Sequence, residues 1–356
     1  MRPQDLQTAI GRLLEHSPAF PGDSLAVDLI ANPKAGGFTR SRYSLRRQAE
    51  LDSLLKKAEL LPRRSGDIQL RLHLTERSGH AAEISHAIMQ EADSDKPGIR
   101  HIILTAGGDG TSLETASSLI SLSGDMRNRF SLIRLPYGTG NDGSEGRDLI
   151  AALGRFLGPV RQDLRRAIRV TPNPMGGKKP LYSFNIASVG VDAYICKMTN
   201  KLKTVFPGDS YKFWVDFSSV FYDCVWPPAP IKVSAFDEKG TALQSFERAC
   251  QLVAMGASGH RDYGSGIHIL PDDDNVCAVY QMPLLKKLQF KEWIAQGTHR
   301  GHDVINLFSA RKLVFEYQRG ILLERDGEVD ELGISDFPLS MELTEPLYNV
   351  LMPANK

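Results

Sequence analysis

The stretch from His101 to Ile120, HIILTAGGDGTSLETASSLI, joins a run of apolar residues to a helical pattern through three glycines. Its first part (101–105) predicts a buried strand and its last part (111–120) predicts a helix. The same order recurs three times along the chain: LAVDLIA (25–31) before a helix near 41–60, IQLRLHL (68–74) before GHAAEISHAIMQEA (79–92), and SLIRL (131–135) before GRDLIAALGRFL (146–157). Four β-then-α units in succession predict a parallel sheet with helices on its faces.

Beyond residue 165 the pattern changes to short strands with two-residue alternation. These are AIRVT (167–171), LYSFNIA (181–187), IKVSAF (231–236), VCAVYQM (276–282) and KLVFEYQ (312–318). They predict a mainly antiparallel, sandwich-like domain, interrupted by helical insertions near 192–224 and 286–297. We therefore expect an N-terminal helical extension over 1–23, an α/β domain over 24–160 and a β-rich domain over 161–339. The segment near 340–356 is compatible with a return to the α/β domain.

Composition excludes several classes of protein. The 356 residues include 43 Lys and Arg against 42 Asp and Glu, and this balance gives no reason to expect a nucleic-acid partner. The four cysteines form no C-x-x-C pair, so neither a zinc site nor a redox motif is encoded. An apolar helical face near the N-terminus would pack on the protein or touch a bilayer: Leu6, Ile10, Leu13 and Leu14. No uncharged apolar run approaches membrane-spanning length, and we expect a cytoplasmic protein.

Two glycine-containing loops follow the first and third predicted strands, where open α/β sheets bind ligands. The loop Asn32 to Gly37, NPKAGG, offers a turn and a cation that suit a phosphate, although a plain turn explains this segment as well. In GGDGT (107–111), the glycines allow a close backbone approach. The Asp109 carboxylate would repel a phosphate unless a metal ion or a hydroxyl lies between them. Helix capping by Asp109 is the structural alternative.

The loop after the fourth predicted strand, PYGTGNDG (136–143), contains G-x-G-x-x-G. A dinucleotide site of the Rossmann type fits poorly, because the motif follows the fourth strand rather than the first and two glycine-rich loops already share that sheet edge. The sequence contains no G-x-x-x-x-G-K-[ST], which excludes the P-loop class of nucleotide-binding proteins.

In this order, NPKAGG, GGDGT followed by Glu114, and GTGND resemble the diacylglycerol kinase catalytic-domain family, which includes bacterial lipid kinases and sphingosine kinases. Thr75 with GHA (79–81), NIASVGVDA (185–193), GTH (297–299) and ERDGE (324–328) extend the resemblance over about residues 24–350. It implies an α/β domain with a parallel sheet, of the NAD kinase and diacylglycerol kinase type, and a mainly antiparallel β-sandwich domain that receives the lipid. The implied activity is transfer of the γ-phosphate of ATP to a lipid hydroxyl, with Mg²⁺.

The resemblance also implies roles for single residues. Those that would surround or support the nucleotide are Asn32, Lys34, Gly36, Thr75, Gly107, Gly108, Gly110, Thr111, Glu114, Gly138, Thr139, Asn141 and Asp142. Asp109 would face the phosphates through Mg²⁺. Asp326 would be the general base with Glu328 beside it, but the sphingosine kinase branch places that role at the position of Asp109, and the choice stays open.

Two further positions carry alternatives. Taken alone, Asp326-Gly327 indicates a type I′ hairpin turn. The family often holds a structural Mg²⁺ after a Pro-Asp-Ala segment. Here PDDDNV (271–276) departs from that pattern, with Asn in place of Gly. Asp274 is its best match, and a solvated acidic turn is the equal alternative.

The interpretation as a whole is an ATP- and Mg²⁺-dependent lipid kinase acting on diacylglycerol or a related lipid. One alternative is an NAD kinase, which also uses GGDGT, and another is a non-catalytic module that binds nucleotide or lipid. NPKAGG and GTGND argue against the first alternative, and the presence of Asp109 and Asp326 argues against the second. We expect peripheral contact with the membrane that holds the lipid. Whether the protein forms a homodimer stays open.

Overall fold

The computed structural model describes residues 1–96, 98–138, 140–202, 222–264 and 266–354. The chain divides into two compact units. Unit 1 contains Met1–Arg166 and Pro346–Lys356, and unit 2 contains Ala167–Glu345. The units divide after Arg166 and after Glu345, whereas the sequence suggested boundaries at 160 and 339. The strand that ends at Arg165 belongs to unit 1 because it pairs with the returning C-terminal strand, and Leu339–Leu343 belongs to unit 2 because it pairs with strands of that unit.

Unit 1 alternates helices and strands. Its elements are α1 (Pro3–Leu14), β1 (Ser24–Ala31), α2 (Gly36–Thr39), α3 (Ser41–Ala58), β2 (Ile68–Leu74), α4 (His80–Asp93), β3 (Ile99–Gly107), α5 (Asp109–Leu119), α6 (Gly124–Arg129), β4 (Phe130–Pro136), α7 (Leu149–Leu153), β5 (Val160–Arg165) and the returning β17 (Tyr348–Pro353). In the described residues its strands form one sheet in the order β2-β1-β3-β4-β17-β5. The first five strands are parallel and β5 is antiparallel to β17. The predicted parallel sheet is confirmed.

Burial explains why these segments form strands and where α1 lies. Every residue of β4 is buried, as expected for a strand covered by helices on both faces. The apolar face of α1 is also buried in the core of unit 1, with Leu6, Ile10 and Leu14 completely inaccessible to solvent. The helix face therefore packs on the protein, which was one of its two predicted roles.

Unit 2 is mainly antiparallel, as the two-residue alternation predicted. Its elements are β6 (Ile168–Thr171), β7 (Leu181–Ser183), β8 (Ile186–Gly190), α8 (Val191–Leu202), α9 (Tyr222–Val225), β9 (Pro230–Phe236), β10 (Ala242–Gly256), β11 (Val276–Tyr280), α10 (Leu284–Gln296), β12 (Ile305–Phe308), β13 (Lys312–Glu316), β14 (Ile321–Arg325), β15 (Glu328–Leu332) and β16 (Leu339–Leu343). The described strands follow the order β15-β14-β8-β10-β9-β13-β16-β6-β7, and β11 and β12 extend from β10.

One long strand curls this sheet. The first half of β10 pairs with β9, and the second half pairs with β8 and β11. Of the two predicted helical insertions, α8 and α9 lie within the first, whose residues 203–221 are outside the described part, and α10 matches the second. Across the described ranges, no helix is both long enough and apolar enough to cross a bilayer.

Candidate functional site

The first four strands of unit 1 end at the same level of the sheet. Ala31 at the end of β1 is in register with Leu74 of β2 and Ala106 of β3, and Gly107 is in register with Pro136 of β4. Because the strands are parallel, the residues that follow them emerge at one edge. The loops that the sequence singled out therefore meet there.

Tyr137 joins the first loop to the fourth. The amide of Gly37 donates to the carbonyl oxygen of Tyr137 at 2.9 Å, and the ring of Phe38 stacks on that of Tyr137 with centroids 4.4 Å apart. A Cβ at Gly37 would lie 2.5 Å from the Tyr137 ring, so only glycine fits there. Tyr137 is fully buried, and burial raises the pKa of its phenol. Sequence analysis did not find this contact, since nothing in the spacing of the two loops pairs them.

Asp109 connects the third loop to the fourth. It is the first residue of α5, and its carboxylate accepts hydrogen bonds from the amides of Asn141 at 3.2 Å and Asp142 at 2.9 Å. Asn141 has a φ of 62°, a left-handed conformation that asparagine tolerates. A Cβ at Gly140 would lie 2.5 Å from Oδ2 of Asp109 and 3.6 Å from Oδ2 of Asp142. Two carboxylates thus face the same backbone position.

The glycines at this sheet edge differ in what a side chain would contact. A Cβ at Gly138 would lie 2.8 Å from Cα of Gly108, so the two loops touch backbone to backbone. A Cβ at Gly107 would lie 2.5 Å from the Thr111 side chain. Gly108 itself has an ordinary φ of −84°, and its Cβ direction points into open space. The backbone at Gly108 is therefore accessible to a ligand from that side.

Glu114 supports the segment after the second strand. Its carboxylate accepts hydrogen bonds from the amides of Gly79 at 2.7 Å and Ala81 at 3.2 Å, and from the hydroxyl of Ser78 at 3.3 Å. Gly79 is the N-cap of α4, so this carboxylate satisfies amides at the positive end of that helix. The Glu114 carboxylate therefore binds amides of the protein.

The other predicted nucleotide residues occupy the same sheet edge. The amide of Asn32 donates to Ala106 at 3.0 Å, and that of Thr75 donates to Ala31 at 2.9 Å. Lys34 is exposed, and its amide donates to Oδ1 of Asn32 at 2.9 Å. Gly36 begins α2, and Gly110 and Thr111 lie in the first turn of α5. Thr139 is outside the described residues.

Asp326 lies in unit 2, at the turn between β14 and β15. Arg325 pairs with Glu328, so Asp326 and Gly327 form a two-residue turn, with φ of 47° and 87° as in a type I′ hairpin. The predicted partner Glu328 is exposed.

The Asp326 side chain is 4% exposed and is surrounded by donors. Its carboxylate accepts hydrogen bonds from the Ser183 hydroxyl at 2.6 Å and from the amides of Phe184, Asn185 and Ile186 at 2.6, 2.9 and 3.2 Å. Three of these donors bind Oδ1, and one, the Phe184 amide, binds Oδ2. Sequence analysis assigned this residue a proton-accepting role and did not find the loop 183–186 that binds it.

A second acidic group lies on the other side of the same turn. Asp192 accepts from the hydroxyls of Ser188 and Tyr263, and Ser188 also lies 3.2 Å from Glu324, which accepts from the amide of Gly327 at 2.6 Å. Burial raises the pKa of Asp192. Ser188 has one hydroxyl hydrogen and two acidic neighbours, which also favours a protonated carboxyl in this group.

The acidic turn at 271–276 carries an arginine. Arg300 contacts the carboxylates of both Asp272 and Asp274, and the Ser309 hydroxyl donates to Asp274 at 2.9 Å. The buried side chain of Asn275 exchanges two hydrogen bonds with the backbone of Ala310, at 2.9 and 3.0 Å. Asn275, which replaces the glycine of the family pattern, therefore holds this turn against Ala310. The guanidinium of Arg300 supplies positive charge beside Asp274.

The two carboxylates at Gly140 have the donor chemistry that Mg²⁺ requires. In the part of the chain that the structure describes, no three His, Cys, Asp or Glu side chains converge as a ready-made metal site. Mg²⁺ bound with a nucleotide commonly takes one or two carboxylates, and phosphates and waters complete its shell. Asp109 and Asp142 fit that arrangement.

Comparisons with known proteins place part of the chain in a family. Residues 26–154, which carry the loops described above, match the model of the diacylglycerol kinase catalytic domain. The chain is 27% identical over 329 residues to a Bacillus subtilis (strain 168) protein named "Putative lipid kinase YtlR", covering 87% of this chain and 95% of that protein.

Solved structures from Bacillus anthracis str. Sterne share the fold. One, described as a "putative diacylglycerol kinase", has a TM-score of 0.59 at 19% identity, and another, described as a diacylglycerol kinase, has a TM-score of 0.55 at 18% identity. Each comparison covers 91% of this chain and 96% of the other. With the three loop motifs joined at one sheet edge, residues 26–154 belong to the diacylglycerol kinase catalytic domain family, and the chain has the fold of these Bacillus anthracis structures.

Proposed function

We propose that the protein is a lipid kinase that transfers the γ-phosphate of ATP to a hydroxyl of diacylglycerol or a related lipid. The observation that carries this proposal is the meeting of three glycine-containing loops at one sheet edge, with Asp109 bonded to the Asn141 and Asp142 amides. The match of residues 26–154 to the catalytic domain and the named lipid kinase relative support the same activity.

The chain's own groups account for nucleotide binding in this proposal. The first amides of α5 and the open backbone at Gly108 donate hydrogen bonds to the phosphates, because amides at a helix start carry partial positive charge. Lys34, exposed in the first loop, adds a cation. Mg²⁺, when bound, neutralises phosphate charge in the transfer step. Asp109 and Asp142 are the residues that would hold it.

In this proposal Asp109, rather than Asp326, receives the proton of the lipid hydroxyl. Asp326 is 4% exposed, and its carboxylate accepts from four donors of the loop 183–186. Asp109 lies instead at the sheet edge where the three glycine-containing loops meet, beside the proposed phosphate site. Asp326 then fixes the loop 183–186 in unit 2.

A substitution at Gly108 tests the nucleotide site without disturbing the fold. Gly108→Ala adds a methyl group in open space at an ordinary φ, so we expect unchanged thermal stability and at least a tenfold weaker binding of Mg·ATP, measured by calorimetry. Gly158→Ala is the matched control, since its Cβ also meets nothing within 4 Å and its φ is −147°.

A transfer assay with labelled ATP decides the acceptor. The wild type and both glycine variants are incubated with diacylglycerol, a sphingoid base, a lipid extract and NAD. We expect label in the lipid, lost in Gly108→Ala and kept in Gly158→Ala. Label in NAD would replace the proposal with an NAD kinase. Nucleotide binding without transfer to any acceptor would indicate a non-catalytic module.

A further inference from the structure

Two exposed apolar side chains of unit 2 project from one place in the fold. Met175 lies in the connection between β6 and β7, and Ile334 lies in the 3-10 turn between β15 and β16. Met175 is 88% exposed and Ile334 is 59% exposed. We call residues 174–180 and 333–336 together the tip.

The two segments of the tip are fastened to each other through Asp336. The carbonyl oxygen of Asp336 accepts from the amide of Asn173 at 2.8 Å, and its carboxylate accepts from Lys178 and from the amide of Gly333, each at 2.7 Å. The Asn173 amide group also donates to Phe337 at 2.8 Å. A buried carboxylate and several hydrogen bonds thus hold the tip in one conformation while its apolar side chains face solvent.

Among the described residues, the ion pairs around the tip do not include Lys179. Lys178 is paired with Asp336, and Lys197 is paired with Glu331 on the neighbouring strand. Lys179 is exposed and has no ion pair within the described ranges. Apolar side chains beside a free lysine are the combination that binds the boundary between headgroups and acyl chains of an anionic bilayer.

The tip is directly connected to the turn that holds Asp326. Strand β7 leads from the tip to Ser183, which donates to Asp326, and β15 leads from the Asp326-Gly327 turn to the second segment of the tip. At about 3.3 Å per residue, strands of three and five residues set a separation of roughly 10 to 17 Å. If the tip were bound to a surface, the distance between that surface and the Asp326-Gly327 turn would therefore be fixed.

We propose that the tip is the surface by which the protein docks on an anionic lipid bilayer, with Met175 and Ile334 inserted and Lys179 among the headgroups. This inference rests on the proposed function, because a lipid acceptor is presented by a bilayer. A second copy of the chain is a poorer occupant, since a stable protein interface buries about 1,200 to 2,000 Å² and two side chains offer far less.

Vesicle co-sedimentation tests the docking surface. Vesicles contain phosphatidylcholine and phosphatidylglycerol in equal parts, and the variants are Met175→Ser, Ile334→Ser and Lys179→Glu. We expect each serine variant to bind about tenfold more weakly or worse, as for losing a buried apolar side chain, and Lys179→Glu to lose most of the salt-sensitive part of binding.

Matched controls lie on exposed positions elsewhere. Leu60→Ser removes a leucine that is 85% exposed in unit 1, and Lys239→Glu reverses an exposed lysine in unit 2 away from the tip. Both should bind vesicles like the wild type. Equal binding by the tip variants and the controls would overturn the proposal. A changed sedimentation coefficient of Met175→Ser without vesicles would assign the tip to contact between copies instead.

Two measurements keep this inference separate from the proposed function. Met175→Trp should show quenching by lipids brominated on their acyl chains, whereas Leu60→Trp should not, and absence of quenching at Met175 contradicts insertion. Kinase activity toward lipid in detergent micelles should be equal in wild type and tip variants. If no lipid is phosphorylated but the tip variants still lose vesicle binding, the kinase proposal is contradicted and the docking surface is supported.

Discussion

Asp109 and Asp326 are both aspartates followed by glycine, yet their surroundings differ. Asp109 starts a helix and accepts two amide hydrogen bonds, whereas Asp326 lies in a hairpin turn and accepts from four donors. A sequence pattern identifies the turn or helix start at each site, but not how many donors the rest of the fold directs at the carboxylate. The chemistry available to each residue therefore follows from its tertiary contacts.

Replacing Asp109 with asparagine should abolish turnover and keep the fold. The Asn oxygen can still accept one of the two amide bonds, but the charge that holds a cation is lost. We expect kcat to fall by at least about 10²-fold, with a thermal midpoint close to that of the wild type. Asp125→Asn, at an exposed position of the same unit, is the control and should keep full activity. Near-normal activity of Asp109→Asn would remove this residue from the site.

Replacing Asp326 with asparagine should cost stability in unit 2. The amide group of Asn would face at least one of the donors that now bind the carboxylate, leaving a buried donor without an acceptor. We expect a loss of about 1 to 3 kcal/mol in the free energy of unfolding, measured by urea denaturation.

Nucleotide affinity of Asp326→Asn should be unchanged, and Asp303→Asn, with an exposed carboxylate in the same unit, is the control for stability. A variant as stable as the wild type whose kcat falls by about 10²- to 10⁴-fold would return the general-base role to Asp326.

Among the secondary-structure elements, those with strong periodicity were predicted well and those defined by distant pairing were not. The strands β1 to β4 and the helices α3, α4 and α5 follow apolar patterns that are visible locally. Strand β5 was not predicted and β17 was assigned no pairing, because their partners lie about two hundred residues away in sequence. Helix α7 is shorter than its apolar pattern, which continues into a 3-10 turn.

Glu114 connects two helices. It lies in α5, and its carboxylate binds amides at the start of α4. Glu114→Ala removes the acceptor for the Gly79 and Ala81 amides, so we expect a loss of about 0.5 to 2 kcal/mol in the free energy of unfolding. Glu114→Gln should lose less. Asp93→Ala, at the negative end of the same helix α4, is the control and should be neutral or stabilising. Equal effects of the two alanine variants would show that helix capping is not what Glu114 contributes.

The sequence was compatible with a return of the segment near 340–356 to the first domain, and the structure describes how the chain makes that return. Unit 2 is one continuous insertion, and its ends meet: the amide of Thr344 donates to Ala167 at 2.8 Å, and the Ala167 amide donates to the Thr344 hydroxyl at 3.0 Å. Within unit 1 the amide of Leu347 donates to Arg165 at 2.8 Å. The strand patterns predicted two domains, and the register of β17 between β4 and β5 shows why the first domain needs both chain segments.

Because Arg165 and Leu347 are hydrogen-bonded neighbours, a short linker can join the two chain segments of unit 1 in place of unit 2. We expect a protein in which a short Gly-Ser bridge replaces residues 167–345 to fold, to unfold cooperatively and to bind Mg·ATP, but to transfer no phosphate to lipid. Circular dichroism, urea denaturation and calorimetry measure these properties.

The control is unit 1 ending at Arg166, which lacks β17. It leaves β4 and β5 without the strand that joins them, so it should aggregate or remain unfolded. Nucleotide binding by the control equal to that of the bridged protein would show that β17 is dispensable. Loss of binding in a folded bridged protein would show that the nucleotide site needs residues of unit 2.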